Sequence, residues 1–269
     1  MNPQLYQRVH DDILTSGFGS EMKAISTFLA AGWGVNPAPA YVDADEGKTR
    51  SVDLSASRVM HDFPPNKQYY FQYHLLVEVK KSATPWVAFT QPLKKPPYRY
   101  YEGWVNPYVV TGPVTLSDLA DVLSQTSLPL SQGFTAHSAH ESFKKPDQPS
   151  RWYPAFITAC KACVAYTKHE AFDKKYMDSI IYPFLILVNP VVILDGILLS
   201  AEIDSSGTIS ITERSMVPFT FEYGSIKYDS SDYRVDLVTL AGLNDYIEHQ
   251  NKRIHAIFEM FLKSSEQHK

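Results

Sequence analysis

Four side chains in the first third of the chain have the types and spacing of a hydrolytic site: Glu21, Asp53, Glu78 and Lys80. Glu78 and Lys80 stand two apart in the apolar run LLVEVKK, so in an extended strand they share a face. Asp53 alternates with Val52, Leu54 and Ala56 in TRSVDLSA, which puts it on the polar side of a strand. Glu21 lies beside Ile25 and Phe28 on a helical net, at the edge of the core-facing stripe. Hydrolysis of a phosphodiester needs an anionic nucleophile and relief of the charge that grows on the phosphate. Carboxylate oxygens bind Mg²⁺, which keeps waters and substrate phosphate oxygens in its shell. The metal lowers the pKa of a bound water and neutralises the transition state. A lysine beside them holds the attacking hydroxide or the phosphate. If the two strands pair, Asp53 and Glu78 converge at one sheet edge with Glu21 above them.

The elements that must position these groups are legible as patterns. A short helix over 5–14 stops near Gly17 and Gly19. Ser20 can cap a second helix that ends at Gly32, with Met22, Ile25, Phe28 and Leu29 at helical spacing. Residues 33–41 are extended, and Pro37 and Pro39 mark an edge strand or a bulge. Asp45 to Lys48 form a turn, and 50–57 alternate as a strand. A polar loop containing Pro64, Pro65 and Asn66 leads to a long strand over 69–80, central in a sheet. From 92 to 150 the periodicity is lost, apart from a short helix over 115–123, and 135–149 are polar. Helix resumes at 152–169. Strands follow over 182–188, 191–194, 197–203, 208–212, 217–223 and 233–239, with Ser205, Ser206 and Gly207 as a hairpin turn. A last helix over 242–262 carries Leu243, Ile247, Ile254, Phe258 and Phe261 on one stripe.

The order helix-Glu, strand-Asp, strand-Glu-x-Lys resembles the PD-(D/E)XK nuclease superfamily, which includes the restriction endonucleases. The resemblance implies an αβββαβ core over about 17–91 and 151–188. It also implies an α/β, restriction-endonuclease-like mixed sheet flanked by helices. The stretch 92–150, where periodicity is lost, reads as an insertion, and 189–269 as a β-rich region plus helix outside the resemblance, all in one elaborated domain. It implies that Asp53 and Glu78 bind Mg²⁺ or Mn²⁺, that Lys80 is the catalytic lysine, and that Glu21 orients a water or a second metal. Val52 precedes Asp53 where the name-giving motif has Pro. The activity implied is metal-dependent hydrolysis of DNA. The alternative is a silent nuclease-like module, or a subunit that binds nucleic acid or protein in a larger assembly.

Other residues carry weaker signals. Lys48, Arg50 and Lys81 flank the acids and can touch phosphates, and Lys48 and Arg50 equally make a charged hairpin. Tyr98, Arg99, Tyr100, Tyr101 and Trp104 suit base stacking, or aromatic packing under an insertion. His137, His140 and Glu141 read as a solvated loop ahead of a metal site. Asp43-x-Asp45-x-Gly47 departs from a calcium loop, because its glycine is one place early and no Glu closes it. Cys160 and Cys163 read as two buried residues on a helix ahead of a zinc pair. The chain has 269 residues, is 44% hydrophobic and carries a net charge of −4. That composition excludes intrinsic disorder and offers no global attraction to a polyanion. The start MNPQLYQRVHDD has no basic and apolar leader pattern. A cytoplasmic protein without a membrane span is expected, with DNA and a partner protein or a second copy as its partners.

Overall fold

The computed structural model describes residues 2–62, 69–92, 108–111, 115–126, 133–145, 147–172, 184–228 and 232–267. Helix α1 (Pro3–Thr15) is capped by Asn2, whose side chain accepts from the Gln4 N–H. Helix α2 (Phe18–Ala30) begins two residues earlier than its expected cap. Ser20 is therefore inside the helix, buried, and its hydroxyl donates to Asp195 Oδ2 at 2.5 Å. Of the apolar stripe read from the sequence, Phe28 is in the core and Met22 and Leu29 are exposed; Ala24 takes the place of the larger side chain. Gly32 ends α2 at a φ of 76°, which only glycine adopts without strain. The Gly32 and Trp33 amides then bond the Leu29 and Phe28 carbonyls and close the helix end.

The prolines at 37 and 39 break the extended stretch in two, β1 (Gly34–Pro37) and β2 (Ala40–Asp43). Between them Ala38 sits at a φ of 48°. β1 is an edge strand of the main sheet, and β2 forms a separate hairpin with β3 (Lys48–Ser51). The expected single strand over 50–57 is interrupted at Val52 and Asp53, and β4 (Leu54–Asp62) starts after the break. β5 (Tyr69–Lys81) is the long strand. β6 (Trp86–Pro92), β7 (Tyr108–Thr111), α3 (Leu116–Gln125) and β8 (Phe134–Glu141) follow. β8 corrects the polar reading of 135–149. Its Thr135, Ala136 and Glu141 are buried while His137, Ser138 and His140 are exposed, a mixture that hides the strand from a hydrophobicity scan. The loop at 63–68 and the aromatic run at Tyr98, Arg99, Tyr100, Tyr101 and Trp104 lie outside the described residues.

Helix α4 (Trp152–Phe172) precedes β9 (Phe184–Asp195), a single strand where two were expected. β9 continues through Pro190 because that position falls between its pairing with β7 at 184–187 and with β13 at 191–194. β10 (Leu198–Ile203), β11 (Ile209–Glu213), β12 (Met216–Glu222), β13 (Asp232–Thr239) and α5 (Leu243–Gln267) complete the chain. The main sheet runs β1-β4-β5-β9-β13-β12-β8-β6-β10-β11, with β7 also on β9. β4 is antiparallel to both β1 and β5, and β9 is parallel to β5. The result is a large mixed α/β sheet flanked by helices, which the strands after 188 extend.

Alternation along β5 sorts the two faces. Phe71, Tyr73, Leu75, Val77 and Val79 join Ala24 and Phe28 of α2 and Ile247, Ile254 and Phe261 of α5 in one core. On the other face Leu76 packs with Ala162 and Cys163 of α4, and the His74 ring meets Tyr166 at a tilt, centroids 4.6 Å apart. Glu78 and Lys80 follow on that second face, at the strand's end. No described helix is long and apolar enough to cross a membrane.

Candidate functional site

The break between β3 and β4 creates the site. Asp53 leaves the ladder there, and its carbonyl accepts from the Ala38 N–H. Its side chain turns to the end of β5, where Oδ2 accepts from the Val79 N–H at 2.6 Å. Because Leu54 pairs with Val77, the start of β4 lies opposite the end of β5. Lys80 Nζ donates to Glu78 Oε2 at 2.6 Å and to Asp53 Oδ2 at 3.4 Å. The three groups thus meet, but at the ends of two interior strands rather than at a lateral sheet edge. Glu78 is 7% exposed and Lys80 27%.

Charge and burial oppose one another here. Burial pushes the Glu78 carboxyl up to about 7; Lys80 pulls against that shift, and Asp53 adds to it. Burial alone would depress Lys80, but Glu78 and Asp53 outweigh it and hold the ammonium above the ordinary lysine value. Glu21 is half-buried in the first turn of α2 and is raised by burial and by Asp53, with Lys80 opposing. It lies within electrostatic reach of the pair and makes no side-chain hydrogen bond to it. Ser20 and Lys81 fix the surroundings: Ser20 ties α2 to the end of β9, and Lys81 Nζ donates to the Leu14 carbonyl of α1 at 2.6 Å.

Among the described residues no three His, Cys, Asp or Glu side chains form a ready-made metal cage. The donor set still suits a hard divalent cation. Three carboxylates face one ammonium, and Asp53 Oδ1 and Glu78 Oε1 take no hydrogen bond among the described residues. Glu78 is raised first by burial and only secondarily by Asp53 and Glu21, and a bound cation would favour its charged form.

That raised carboxyl has a consequence for stability. A carboxyl whose folded pKa exceeds its unfolded value favours folding at low pH. The advantage is lost as pH rises from about 4.5 through 7. The change for Glu78 is at most about 3 kcal/mol. Metal-free protein should therefore lose Tm between pH 5 and 8, and Glu78→Gln should flatten that slope. Equal slopes in the two proteins would refute the assignment.

The remaining candidates separate. Lys48 and Arg50 are exposed on the β2–β3 hairpin; Arg50 pairs with Glu46 at 2.6 Å and Lys48 stands 3.7 Å from the same carboxylate. They form a charged hairpin, with Glu46 as their ion-pair partner rather than Asp53 or Glu78. His137 and His140 are exposed, whereas Glu141 is buried. Glu141 is held by Arg151 Nε at 2.8 Å and by Lys144 at 3.3 Å, so the three do not form one site. Cys160 and Cys163 are free, fully buried, and pushed well above the ordinary thiol value by burial.

Lys161 was missed by sequence reasoning. It projects from α4 between Asp43, at 2.9 and 3.0 Å, and Asp45, at 2.7 Å. The rings of Tyr223 and Tyr228 stand 5.3 and 5.6 Å from its nitrogen. Tyr223 donates to Asp45 at 2.5 Å, and Tyr228 donates to Asp43 at 3.3 Å. The bond to Lys161 draws Asp45 down to about 2. Burial would raise Asp43, but Lys161 and the Asp45 N–H outweigh it and hold it below the ordinary value. The acids of the rejected calcium loop are thus a clasp that pins the hairpin to α4. A single lysine inside the apolar run ITACKACVA was the available signal. Tyr41, on the same hairpin, packs against the Leu76–Cys163 cluster and senses the charges of both Asp43 and Glu78. The clasp thereby sets the wall beside Glu78. No protein-family model, curated protein or solved structure matches this chain significantly.

Proposed function

We propose that this chain is a divalent-metal-dependent nuclease that hydrolyses DNA phosphodiester bonds on a restriction-endonuclease-like core. The observation that carries the reading is Lys80 held between Asp53 and Glu78, with Glu21 in electrostatic reach. The order of α2, β1, β4, β5, α4 and β9 supports it. Two antiparallel pairings followed by a parallel one agree with the αβββαβ pattern that the motif implies.

In this reading Asp53 and Glu78 hold Mg²⁺ or Mn²⁺, with Glu21 toward a water or a second ion. The ion supplies charge neutralisation and a water of lowered pKa. The chain's own residues do the rest. The Val79 N–H fixes the Asp53 carboxylate, so it needs no reorganisation when substrate arrives. To hold the ion Glu78 would have to give up its proton, and a cation bound there would draw its raised carboxyl back down. Lys80 brings the site's positive charge to the phosphoryl oxygens as negative charge builds on them.

A cleavage assay on plasmid, linear and single-stranded DNA with Mg²⁺ or Mn²⁺ tests the proposal. Asp53→Asn keeps the acceptor for Val79 but removes the charge. Cutting should vanish in EDTA and in Asp53→Asn; cutting that persists equally in both would refute it. The second reading, a silent module or subunit, is favoured by α1. That helix buries none of its residues and exposes Leu5, Tyr6, Val9, Ile13 and Leu14, a face suited to a partner protein or a second copy.

A further inference from the structure

Beyond the end of β5 the chain forms a second concave feature. Residues Ala83 and Thr84 face Glu141, Phe143, Lys144, Gln148 and Arg151 across a pocket of about 460 Å³. Arg151 joins it to the site strand, since its Nη1 donates to the Lys81 carbonyl at 3.0 Å and its Nη2 to Ser82 Oγ at 2.9 Å. The pocket lining therefore begins at Ala83, three residues beyond Lys80.

Three features of the pocket bear on what it could hold. Phe143 is 88% exposed on the pocket rim, where burial gives it nothing. Its backbone φ is 61°, the left-handed region that bulky residues avoid. Held strain of this kind persists where the surroundings over-determine it, and it concentrates at binding sites. The third feature is charge. The charged residues of the lining are Lys144, Arg151 and Glu141, two cations to one acid on a chain whose net charge is −4. Glu141 is buried beneath and already matched by Arg151 and Lys144, so it orients the cations rather than repelling an anion.

We propose that this pocket binds one unpaired nucleotide of the DNA substrate, its base stacked on Phe143 and its phosphate near Lys144 and Arg151. The proposal rests on the nuclease reading and extends it: the preferred substrate carries a single-stranded flank. An aromatic face accepts any base, and a cationic rim follows the backbone, which is how proteins hold single strands without reading sequence. A duplex keeps its bases stacked on one another and offers none to Phe143.

The test is fluorescence anisotropy with labelled blunt duplex, the same duplex with a short 3′ or 5′ overhang, and the overhang made abasic. Ca²⁺ replaces Mg²⁺ to limit turnover. Wild-type protein should bind the overhang more tightly than the blunt duplex or the abasic overhang. Phe143→Ala should remove about tenfold of that affinity, leave blunt binding unchanged, and keep the Tm, since the ring is exposed. Phe143→Trp should retain the preference. Equal affinity of Phe143→Ala and wild type for the overhang overturns the subsite, as does an equal loss on all three DNAs. Lys80→Ala should keep the Phe143-dependent preference. Binding through Phe143 without any cutting refutes the hydrolytic reading and leaves the subsite standing. Cutting by a protein indifferent to Phe143 does the reverse, and a protein that binds none of the DNAs refutes both.

Discussion

Lys80→Ala should lower the rate of DNA cleavage by about 10²–10³-fold while the protein stays folded. The ammonium is the positive group that touches both Asp53 and Glu78, and its charge matters most when negative charge develops on the phosphate. Removing a fixed electrostatic contact of that kind costs the transition state far more than the ground state. Lys80→Arg should recover only part of the rate, because a planar guanidinium cannot replace a compact ammonium at 2.6 Å from Glu78. The variant also has a signature in stability. Without Lys80 the buried Glu78 loses the cation that opposes its proton uptake, so it binds its proton more tightly. The Tm of Lys80→Ala should match wild type most closely near pH 5 and fall furthest below it near pH 8. Single-turnover cleavage and Tm at both pH values provide the check. Full cleavage activity in Lys80→Ala would sink the catalytic assignment.

Lys161→Met should be the most destabilising of these substitutions. The lysine is buried between two aspartates, and Asp43 is buried with it. Breaking such a pair leaves an uncompensated buried carboxylate and costs about 3–5 kcal/mol, which is roughly 10 °C in Tm for a chain of this length. The sign with pH follows from the depressed acids. Their contribution is complete above the ordinary aspartate value near 4 and is lost as pH falls toward 2. The gap between wild type and Lys161→Met should therefore narrow in acid. Adding Asp43→Asn to Lys161→Met should recover part of the loss, because the stranded charge is what makes the single variant costly. A double variant that is as unstable as the sum of its parts would show that the clasp acts through shape alone.

The sequence made some of this legible and concealed the rest for identifiable reasons. β5 was readable because both its faces are covered, so LLVEV stands out against its polar flanks. Asp53 was readable as a residue on a polar face, but the break that frees its side chain was not. Ser51, Asp53 and Ser55 alternate as they would in an unbroken strand, and only the pairing of β3 with β2 pulls the chain aside. Ser20 looked like a cap because its hydroxyl suits one; a partner 175 residues away decides otherwise. Lys161 was obscured by the apolar helix around it, since a lone cation on a core helix has no local partner. Phe143 was obscured in the opposite way, as one aromatic residue in a polar loop whose exposure is set by backbone conformation. Long-range pairing decided each of these, and periodicity carries no record of it.

The place of β13 in the sheet has a consequence for how the protein is made. It is the last strand in sequence, yet it lies between β9 and β12. Until about residue 239 has left the ribosome, β1, β4, β5 and β9 form one half-sheet and β12, β8, β6, β10 and β11 another, with nothing between them. Each half then presents an unpaired strand edge; on β9 it is the apolar stretch 191–194, since β7 already covers 184–187. Such edges invite association with other chains, and pairings so distant in sequence form slowly. The nascent protein therefore passes its most aggregation-prone interval just before synthesis ends. A chain cut short between 222 and 232 stays in that condition, even though Glu21, Asp53, Glu78 and Lys80 are all present in it.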